Sequence, residues 1–181
     1  MAAISGAQNE IDRKLHRIIL DADPGEFKNM LSFARYIQRQ KYTEFSYSRA
    51  GRTEYSGAGT IQHYISYGVA LGLMDGDLTP TKPKKDVRSL ESFQAWLSDT
   101  VFQYLDDKGC GIDQIADKMQ ILFQSAPYRL PTPSKIRSLF NNPPSPIVFR
   151  LSLRVMSLLR PKAIQVKSRG VILIPGTVEE D

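Results

Sequence analysis

Apolar residues recur along most of this chain at the spacing of one face of an α-helix. Ile11, Leu15, Ile18 and Ile19 form the first such set, which predicts a helix over residues 9–20. A segment with this pattern buries one stripe of side chains against its neighbours, so the chain is constrained to a fold built mainly of packed helices. Further helices are predicted over about residues 25–39, 61–72, 90–108, 112–123, 133–141 and 146–159.

Several of these helices have local start signals. Thr60 is a suitable N-cap for the third helix, because a threonine hydroxyl can accept a hydrogen bond from a backbone N–H of the first turn. Thr132-Pro133 and Ser145-Pro146 each place an N-cap residue before a proline at the first helical position. These dipeptides predict where the sixth and seventh helices begin.

Two short β-hairpins are predicted to follow the helices. Residues 73–79 contain a glycine turn between two short apolar pieces, and residues 164–174 alternate apolar and polar side chains before a second turn at Gly170. The polar stretch 42–59 has room for one short helix. Residues 80–85 combine two prolines with three lysines, which favours a linker between domains.

The order of predicted elements, three helices and a hairpin repeated twice, resembles two winged helix-turn-helix modules in tandem, over about residues 25–82 and 89–175. The resemblance implies a mainly α-helical fold with small β-hairpins. It also implies two domains. The first, residues 1–82, holds the N-terminal helix and the first module, and the second, residues 83–181, holds a strongly basic module with an acidic tail.

Particular segments account for this resemblance. In the first module, residues 60–65 and 70–73 are similar to a recognition helix of that superfamily and its turn into the wing. In the second, residues 164–174 around Arg169 are similar to a wing. The second module departs from the pattern by an extra helix and a proline-rich connection at 142–144. The pattern therefore does not determine which of its helices is the recognition helix.

Charge is distributed very unevenly. The chain has 24 Lys and Arg, 19 Asp and Glu and a formal net charge of +5. Residues 118–178 contain no Asp or Glu, although they contain many basic residues. Solubility alone would not require acids to be absent from so long a stretch, so we expect a polyanionic partner. The basic residues of this stretch are Lys118, Arg129, Lys135, Arg137, Arg150, Arg154, Arg160, Lys162, Lys167 and Arg169.

The third helix is the best candidate for reading DNA bases in the first module. A helical wheel places four side chains that can donate or accept hydrogen bonds opposite its apolar face, where the major groove would admit them. Backbone N–H groups at residues 57–60 can approach a phosphate at the positive end of the helix. The nucleic-acid-binding residues predicted in this module are Arg49, Arg52, Thr60, Gln62, His63, Ser66 and Tyr67.

In the second module, Arg150 and Arg154 form a narrow polar strip on an otherwise apolar helix. Such a helix cannot lie deep in a groove, but its strip can pair with phosphates along one DNA strand. The more polar helix before it is the better candidate for base contact, and the wing can reach the minor groove or the backbone. The corresponding residues are Lys135, Arg137 and Asn141 on that helix and Lys167 and Arg169 on the wing.

No catalytic site, metal or cofactor is predicted. His16 and His63 lie on different elements without a Cys or carboxylate constellation, so neither a zinc site nor a nucleophilic triad is visible. Asp21, Asp23 and Glu26 resemble the remnant of a metal-dependent nuclease, but their spacing fits helix termination and capping equally well.

The chain has no predicted membrane span. No stretch approaches the roughly 20 apolar residues that cross a bilayer, and the first residues lack the basic and apolar regions of a signal peptide. The single Cys110 cannot form an internal disulfide and is expected to be a small structural residue. We therefore expect a cytoplasmic protein, or a nuclear one in a eukaryote.

The charge and the resemblance together predict a non-catalytic protein that binds double-stranded DNA. It would serve as a transcriptional regulator or as the DNA-recognition subunit of a defence, restriction or mobile-element system. The alternative is a protein-interaction adaptor that uses winged-helix modules as a scaffold. RNA also stays open as a ligand, because phosphates are common to both polymers. The target sequence and the oligomeric state are left open.

Overall fold

The structure, a computed structural model, describes residues 10–128, 130–167, 170 and 172–175. It is mainly helical with small antiparallel hairpins, as the periodicity predicts. The chain divides into two compact units, Met1–Leu97 and Ser98–Asp181. None of the described helices is both long enough and apolar enough to cross a membrane.

Within the described residues, unit one contains three complete α-helices, a β-hairpin and the first part of a fourth helix. The apolar stripe of α3 packs against both α1 and α2. Fully burying an Ile or Leu side chain stabilises the fold by roughly 1.5–3 kcal/mol, so these stripes supply the core. The elements are α1 (Ile11–Asp21), α2 (Met30–Gln40), β1 (Ser46–Arg49), β2 (Arg52–Tyr55), α3 (Ala58–Leu71) and α4 (Leu90–Asp107), with 3-10 helices at Thr43–Phe45 and Lys84–Asp86.

Helix α2 begins at Met30, later than the predicted start at residue 25. Asn29 is its N-cap: the Asn29 side chain accepts from the Ser32 N–H at 2.9 Å, and the Asn29 N–H donates to Ser32 Oγ at 3.1 Å. This reciprocal capping box fixes the start of the helix. The residues before it form a turn in which the Gly25 N–H donates to Asp23 Oδ1.

The polar stretch 42–59 holds a short helix, the 3-10 helix Thr43–Phe45, and also the β1–β2 hairpin, which was not expected. Its strands pair from Ser46 opposite Tyr55 to Arg49 opposite Arg52. Ala50 and Gly51 form the two-residue turn with positive φ values of 51° and 75°. Positive φ at both central positions is typical of the type I′ turn, whose twist matches that of paired strands.

Helix α3 begins at Ala58, so the prediction that Thr60 is its N-cap is wrong. Gly57 occupies the cap position, and Thr60 is the third residue of the helix. The hairpin predicted over residues 73–79 is reduced to one bridge, between Met74 and Pro80. Two backbone hydrogen bonds flank this bridge, one from the Asp75 N–H to the Thr79 carbonyl and one from the Thr81 N–H to the Leu73 carbonyl.

The segment 80–85, predicted as a linker, is attached to unit one. The Thr81 hydroxyl donates to the Gly72 carbonyl at 2.7 Å. Lys84 Nζ donates to the Leu20 carbonyl at 2.9 Å. A segment held by such bonds follows the surface of its unit and does not act as a free tether.

The first part of α4 also belongs to unit one. The Phe93 ring stacks on the His16 ring with centroids 4.9 Å apart, and Gln94 Nε2 donates to Asp12 Oδ2 at 2.7 Å. The division of the chain lies within α4. It therefore comes later than the expected boundary between residues 82 and 83, because these contacts join α4 to α1.

In its described part, unit two holds the rest of α4, three further helices and a second hairpin. The predicted final hairpin is confirmed, with Gln165 opposite Leu173 and Val166 opposite Ile172. The Val166 N–H donates to Ser157 Oγ at 2.9 Å, which joins the hairpin to the last helix. The elements are α5 (Ile112–Ser125), α6 (Pro133–Arg137), α7 (Pro146–Leu159), β3 (Gln165–Val166) and β4 (Ile172–Leu173).

The predicted starts of α6 and α7 are confirmed. Thr132 and Ser145 cap the two helices with their hydroxyl oxygens, each before a proline in the first turn. The prediction that the first of these helices reaches residue 141 is wrong, because α6 ends at Arg137. The following residues form tight turns, in which the Phe140 N–H donates to the Arg137 carbonyl.

Helix α7 is the most enclosed element of unit two. Phe149, Leu153 and Met156 have no accessible surface, whereas Arg150 and Arg154 are exposed. The apolar sides of α7 contact α6 and β3. Its two arginines therefore mark the side that faces solvent.

The neighbouring residues Leu153 and Arg154 test this orientation. We expect Leu153→Ala to lower the free energy of unfolding by about 2–5 kcal/mol, because it leaves a cavity in the core. Arg154→Ala, the matched exposed control, should change it by less than about 0.5 kcal/mol. Urea denaturation followed by circular dichroism measures both. Equal losses in the two variants would show that α7 is oriented differently.

Candidate nucleic-acid interface

Two arginines face each other at the tip of the β1–β2 hairpin. Arg49 and Arg52 are a directly opposed cross-strand pair, and both are exposed. Within the described residues neither forms an ion pair. Like charges in this position destabilise a hairpin. An anion bound between the two guanidinium groups would relieve that repulsion.

The next pair on the same face of the hairpin is Tyr47 and Glu54. A hydrogen bond to the Glu54 carboxylate raises the pKa of the Tyr47 phenol above its usual value. Within the described residues Glu54 makes no ion pair with Arg49 or Arg52. The positive charge of the tip is therefore not matched by an ion pair in the described structure.

The open side of α3 carries most of the polar residues predicted to contact bases. His63 and Ser66 are exposed, Gln62 is half-buried, and Thr60 is exposed in the first turn. The prediction that Tyr67 faces outward is wrong, because its side chain is only 1% exposed. Because α3 contacts both α1 and α2, a broad side of the helix is buried, and this side includes Tyr67.

The beginning of α3 is accessible. A Cβ atom added to Gly57 or Gly59 would meet no atom within 4 Å, and no side chain caps the helix at Gly57. The first backbone N–H groups of a helix carry partial positive charge and bind anions well. The expected phosphate contact at residues 57–60 is sterically open.

In unit two, the side chains of Arg150 and Arg154 lie one helical turn apart on the exposed side of α7. Neither is ion-paired within the described part of the chain. Arg160 differs, because it donates to Asp99 Oδ1 at 2.7 Å and to Ser98 Oγ at 2.6 Å. Arg160 is therefore committed to the fold, and the two α7 arginines are not.

Arg137 and Arg150 line one groove at the beginnings of α6 and α7. Its apolar lining includes Pro133, Pro146 and Phe149. Arg137 Nε donates to the Pro144 carbonyl at 2.7 Å, which orients the guanidinium while leaving its other N–H donors available. An apolar wall beside two guanidinium groups suits a sugar–phosphate backbone.

The remaining predicted residues of unit two do not form one recognition helix. Lys135 is half-buried on α6, and Asn141 is exposed beyond the end of α6, where it lines a different cleft. The prediction that one helix carries Lys135, Arg137 and Asn141 is therefore wrong. Lys167 is exposed after β3. Arg169 lies outside the described residues.

Two of the three acidic residues considered as a nuclease remnant, Asp21 and Asp23, have hydrogen-bond partners. The Tyr42 hydroxyl donates to Asp21 Oδ2. Burial and this bond raise the pKa of the Tyr42 phenol. Arg17 lies over the Tyr42 ring and 3.6 Å from Glu44. Among the described residues, no group of three or more His, Cys, Asp or Glu side chains is placed to hold a metal ion.

Cys110 is buried in unit two, as expected of a structural residue. Burial raises the pKa of its thiol, although Arg137 opposes the shift. A thiol with a raised pKa has less of the reactive thiolate at neutral pH. Cys110 therefore lacks the environment of a nucleophile.

Sequence reasoning missed most of the cleft that Asn141 lines. The cleft brings together the end of α4, one side of α5 and the turn after α6. Its residues have no shared spacing along the chain, because they come from three separate segments. No motif could therefore have revealed it.

Comparison with known proteins returns no match. No family model, no curated protein and no solved structure is detectably similar to this chain. Its function must therefore be inferred from its own side chains.

The arginine pair at the hairpin tip leads to a test of stability. Arg52→Glu turns repulsion into attraction, so we expect a gain in unfolding free energy of about 0.2–1 kcal/mol at low salt. The gain should disappear near 1 M salt, where charges are screened beyond about 3 Å. Thr53→Glu, on the opposite face, is the matched control and should give no gain. A loss of stability for Arg52→Glu at low salt would contradict the opposed geometry.

Proposed function

We propose that this chain is a non-catalytic protein that binds double-stranded DNA. The observation that carries the proposal is the exposed pair Arg150 and Arg154, which lies on a buried helix within an acid-free stretch. Unpaired arginines on a rigid element are poor contributors to stability but good ligands for phosphate. The buried side of α7 holds in place the backbone from which both side chains extend.

The spacing of this pair suits one DNA strand. Four residues of α-helix rise by about 6 Å, and phosphates of one strand repeat every 3.4 Å along the duplex axis. Arg150 and Arg154 can therefore reach phosphates two steps apart. Arg137 adds a third guanidinium at the groove that Arg150 also lines. These contacts supply affinity but no sequence preference.

Sequence preference is assigned to α3 in unit one. Gln62, His63 and Ser66 have side chains that can hydrogen-bond to base edges in the major groove. The exposed start of α3 and the paired arginines of the hairpin tip supply phosphate contacts around it. A helix flanked by such contacts is typical of duplex readers.

The tandem winged helix-turn-helix arrangement is part of this proposal. Unit two supports it, since helices are followed there by the β3–β4 hairpin. Unit one departs from it, because its hairpin precedes α3 and only the Met74–Pro80 bridge follows. The role we propose is that of a transcriptional regulator or the DNA-recognition subunit of a defence, restriction or mobile-element system.

A second candidate, a protein-interaction adaptor, is favoured by exposed apolar side chains in unit two. Ile121 and Phe123 on α5 are 46% and 44% exposed, and Tyr128 and Leu130 after it are 99% and 53% exposed. Large exposed apolar groups often mark protein interfaces. Binding to a protein through them would be insensitive to salt, whereas binding to DNA through arginines would not.

The double variant Arg150→Glu, Arg154→Glu tests the duplex interface. We expect it to bind all duplexes more weakly, and the slope of log K against log salt to fall by about 2, because two phosphate contacts are lost. Fluorescence anisotropy with duplex DNA, single strands and RNA at several salt concentrations measures both quantities.

The control is Arg35→Glu, Arg39→Glu, an exposed pair with the same spacing on α2. It makes the same charge change in unit one and should leave the slope closer to that of the wild type. Circular dichroism verifies that each variant is folded. Unchanged affinity and slope in the α7 variant would exclude the proposed backbone contact, and preference for RNA or single strands would exclude the duplex.

The variant Gln62→Ala, His63→Ala tests base reading. After a preferred site has been selected from random duplexes, we expect the double variant to lose about 1–3 kcal/mol of discrimination, the usual value of a good base contact. Its nonspecific affinity should persist, because that rests on the arginines. Gln38→Ala, Gln40→Ala on α2 is the matched control. Full retention of the preference would exclude α3 as the reader.

A further inference from the structure

Unit two contains a polar cleft that the duplex interface does not use. It has a volume of about 330 Å³ and is lined from three segments, the end of α4, one side of α5 and the turn after α6. Pockets that bind small molecules begin at about 300 Å³. The cleft therefore has room for one small ligand. Arg150 and Arg154 are not among its lining residues.

Its charged residues favour an anion. Lys108 and Lys118 line the cleft together with a single carboxylate, Asp117. Neither lysine is ion-paired within the described residues. Two ammonium groups beside one carboxylate leave a net positive charge, which a phosphate group would neutralise.

The other lining residues favour a planar ring with polar edges. Phe140 is half-buried, with its ring centroid 6.3 Å from that of Phe149 and 5.5 Å from Lys118 Nζ. The side-chain amides of Gln114, Asn141 and Asn142 also line the cleft. In the described structure these three amides make no hydrogen bond, so their donors and acceptors are available to a ligand.

We infer that this cleft binds one nucleotide, with the phosphate at the lysines and the base at Phe140 and the amides. A phosphate alone would contact the lysines but not the aromatic ring or the amides. A neutral sugar would use the amides and leave the lysines without a counter-charge. A nucleotide uses all three groups. Base stacking on an aromatic ring and hydrogen bonds to base edges are the usual means of recognising an unpaired base.

The same chemistry is offered by a free mononucleotide and by an unpaired nucleotide within a strand. Isothermal titration calorimetry of the full chain with AMP, GMP, CMP and UMP tests the site. Inorganic phosphate and ribose 5-phosphate are the comparison ligands. Competition by a duplex with one bulged nucleotide, against the fully paired duplex, then distinguishes the two sources.

We expect one-to-one binding of at least one nucleotide, with ribose 5-phosphate weaker by about fivefold or more, the lower end of a base–aromatic stack. Lys118→Gln should weaken both ligands. Phe140→Leu should weaken binding of the nucleotide but not of ribose 5-phosphate. Asn142→Ala should do the same, and because Asn142 is exposed this variant leaves the core undisturbed. Lys162→Gln, an exposed lysine of unit two outside the cleft, should have no effect.

Three results would overturn the nucleotide site: no binding of any of the four nucleotides at millimolar concentration, equal binding of ribose 5-phosphate, or affinities unchanged in all three cleft variants. Competition by the bulged duplex assigns the site to an unpaired nucleotide of a strand. Its absence assigns the site to a free nucleotide, and both results uphold the inference. The variant Arg150→Glu, Arg154→Glu should bind nucleotides normally, so failure of the duplex interface is seen separately.

Discussion

The burial of α7 is the constraint on which unit two depends. This helix has no acidic residue, and Phe149, Leu153 and Met156 have no accessible surface. An unpaired arginine in such a core would cost several kcal/mol, so Arg150 and Arg154 must lie on the one side left open. The hydrophobic pattern that builds the core thereby also aligns the two arginines. Affinity for a polyanion would then need no dedicated binding element.

Unit one is organised around α3 in a similar way. Its packing against α1 and α2 buries even Tyr67 and leaves a narrow outward side of small and polar residues, including His63 and Ser66. The hairpin before it is held at its base, where the Phe45 and Tyr64 rings meet edge to face. For the arginines at its tip, the described structure shows neither an ion pair nor an aromatic ring beneath the charge. Core packing therefore decides how little of α3 is left exposed.

Arginines with structural roles are clearly different from those in the proposed interface. Arg17 lies over the Tyr42 ring and beside two carboxylates, and Arg160 pairs with Asp99 and lies over the Phe102 ring. In both cases the charge is matched within the unit. The exposed arginines of α7 and of the hairpin tip have no ion-pair partner among the described residues. This difference is why the interface is assigned to them and not to basic residues in general.

The sequence alone determined the features that depend on a few neighbouring residues. The Thr132-Pro133 and Ser145-Pro146 starts, the periodicity of α1 and α7 and the final hairpin are encoded locally, because caps, proline geometry and alternation act within one or two turns of chain. The outward side of α7 was equally predictable, since its only charged residues are adjacent on the wheel. Tertiary structure decided the rest. The burial of Tyr67 depends on two partner helices, the attachment of residues 80–85 depends on carbonyls at Gly72 and Leu20, and the nucleotide cleft exists only where three segments meet. No local pattern encodes such features, because their energy comes from atoms that are distant in the chain and become neighbours only on folding.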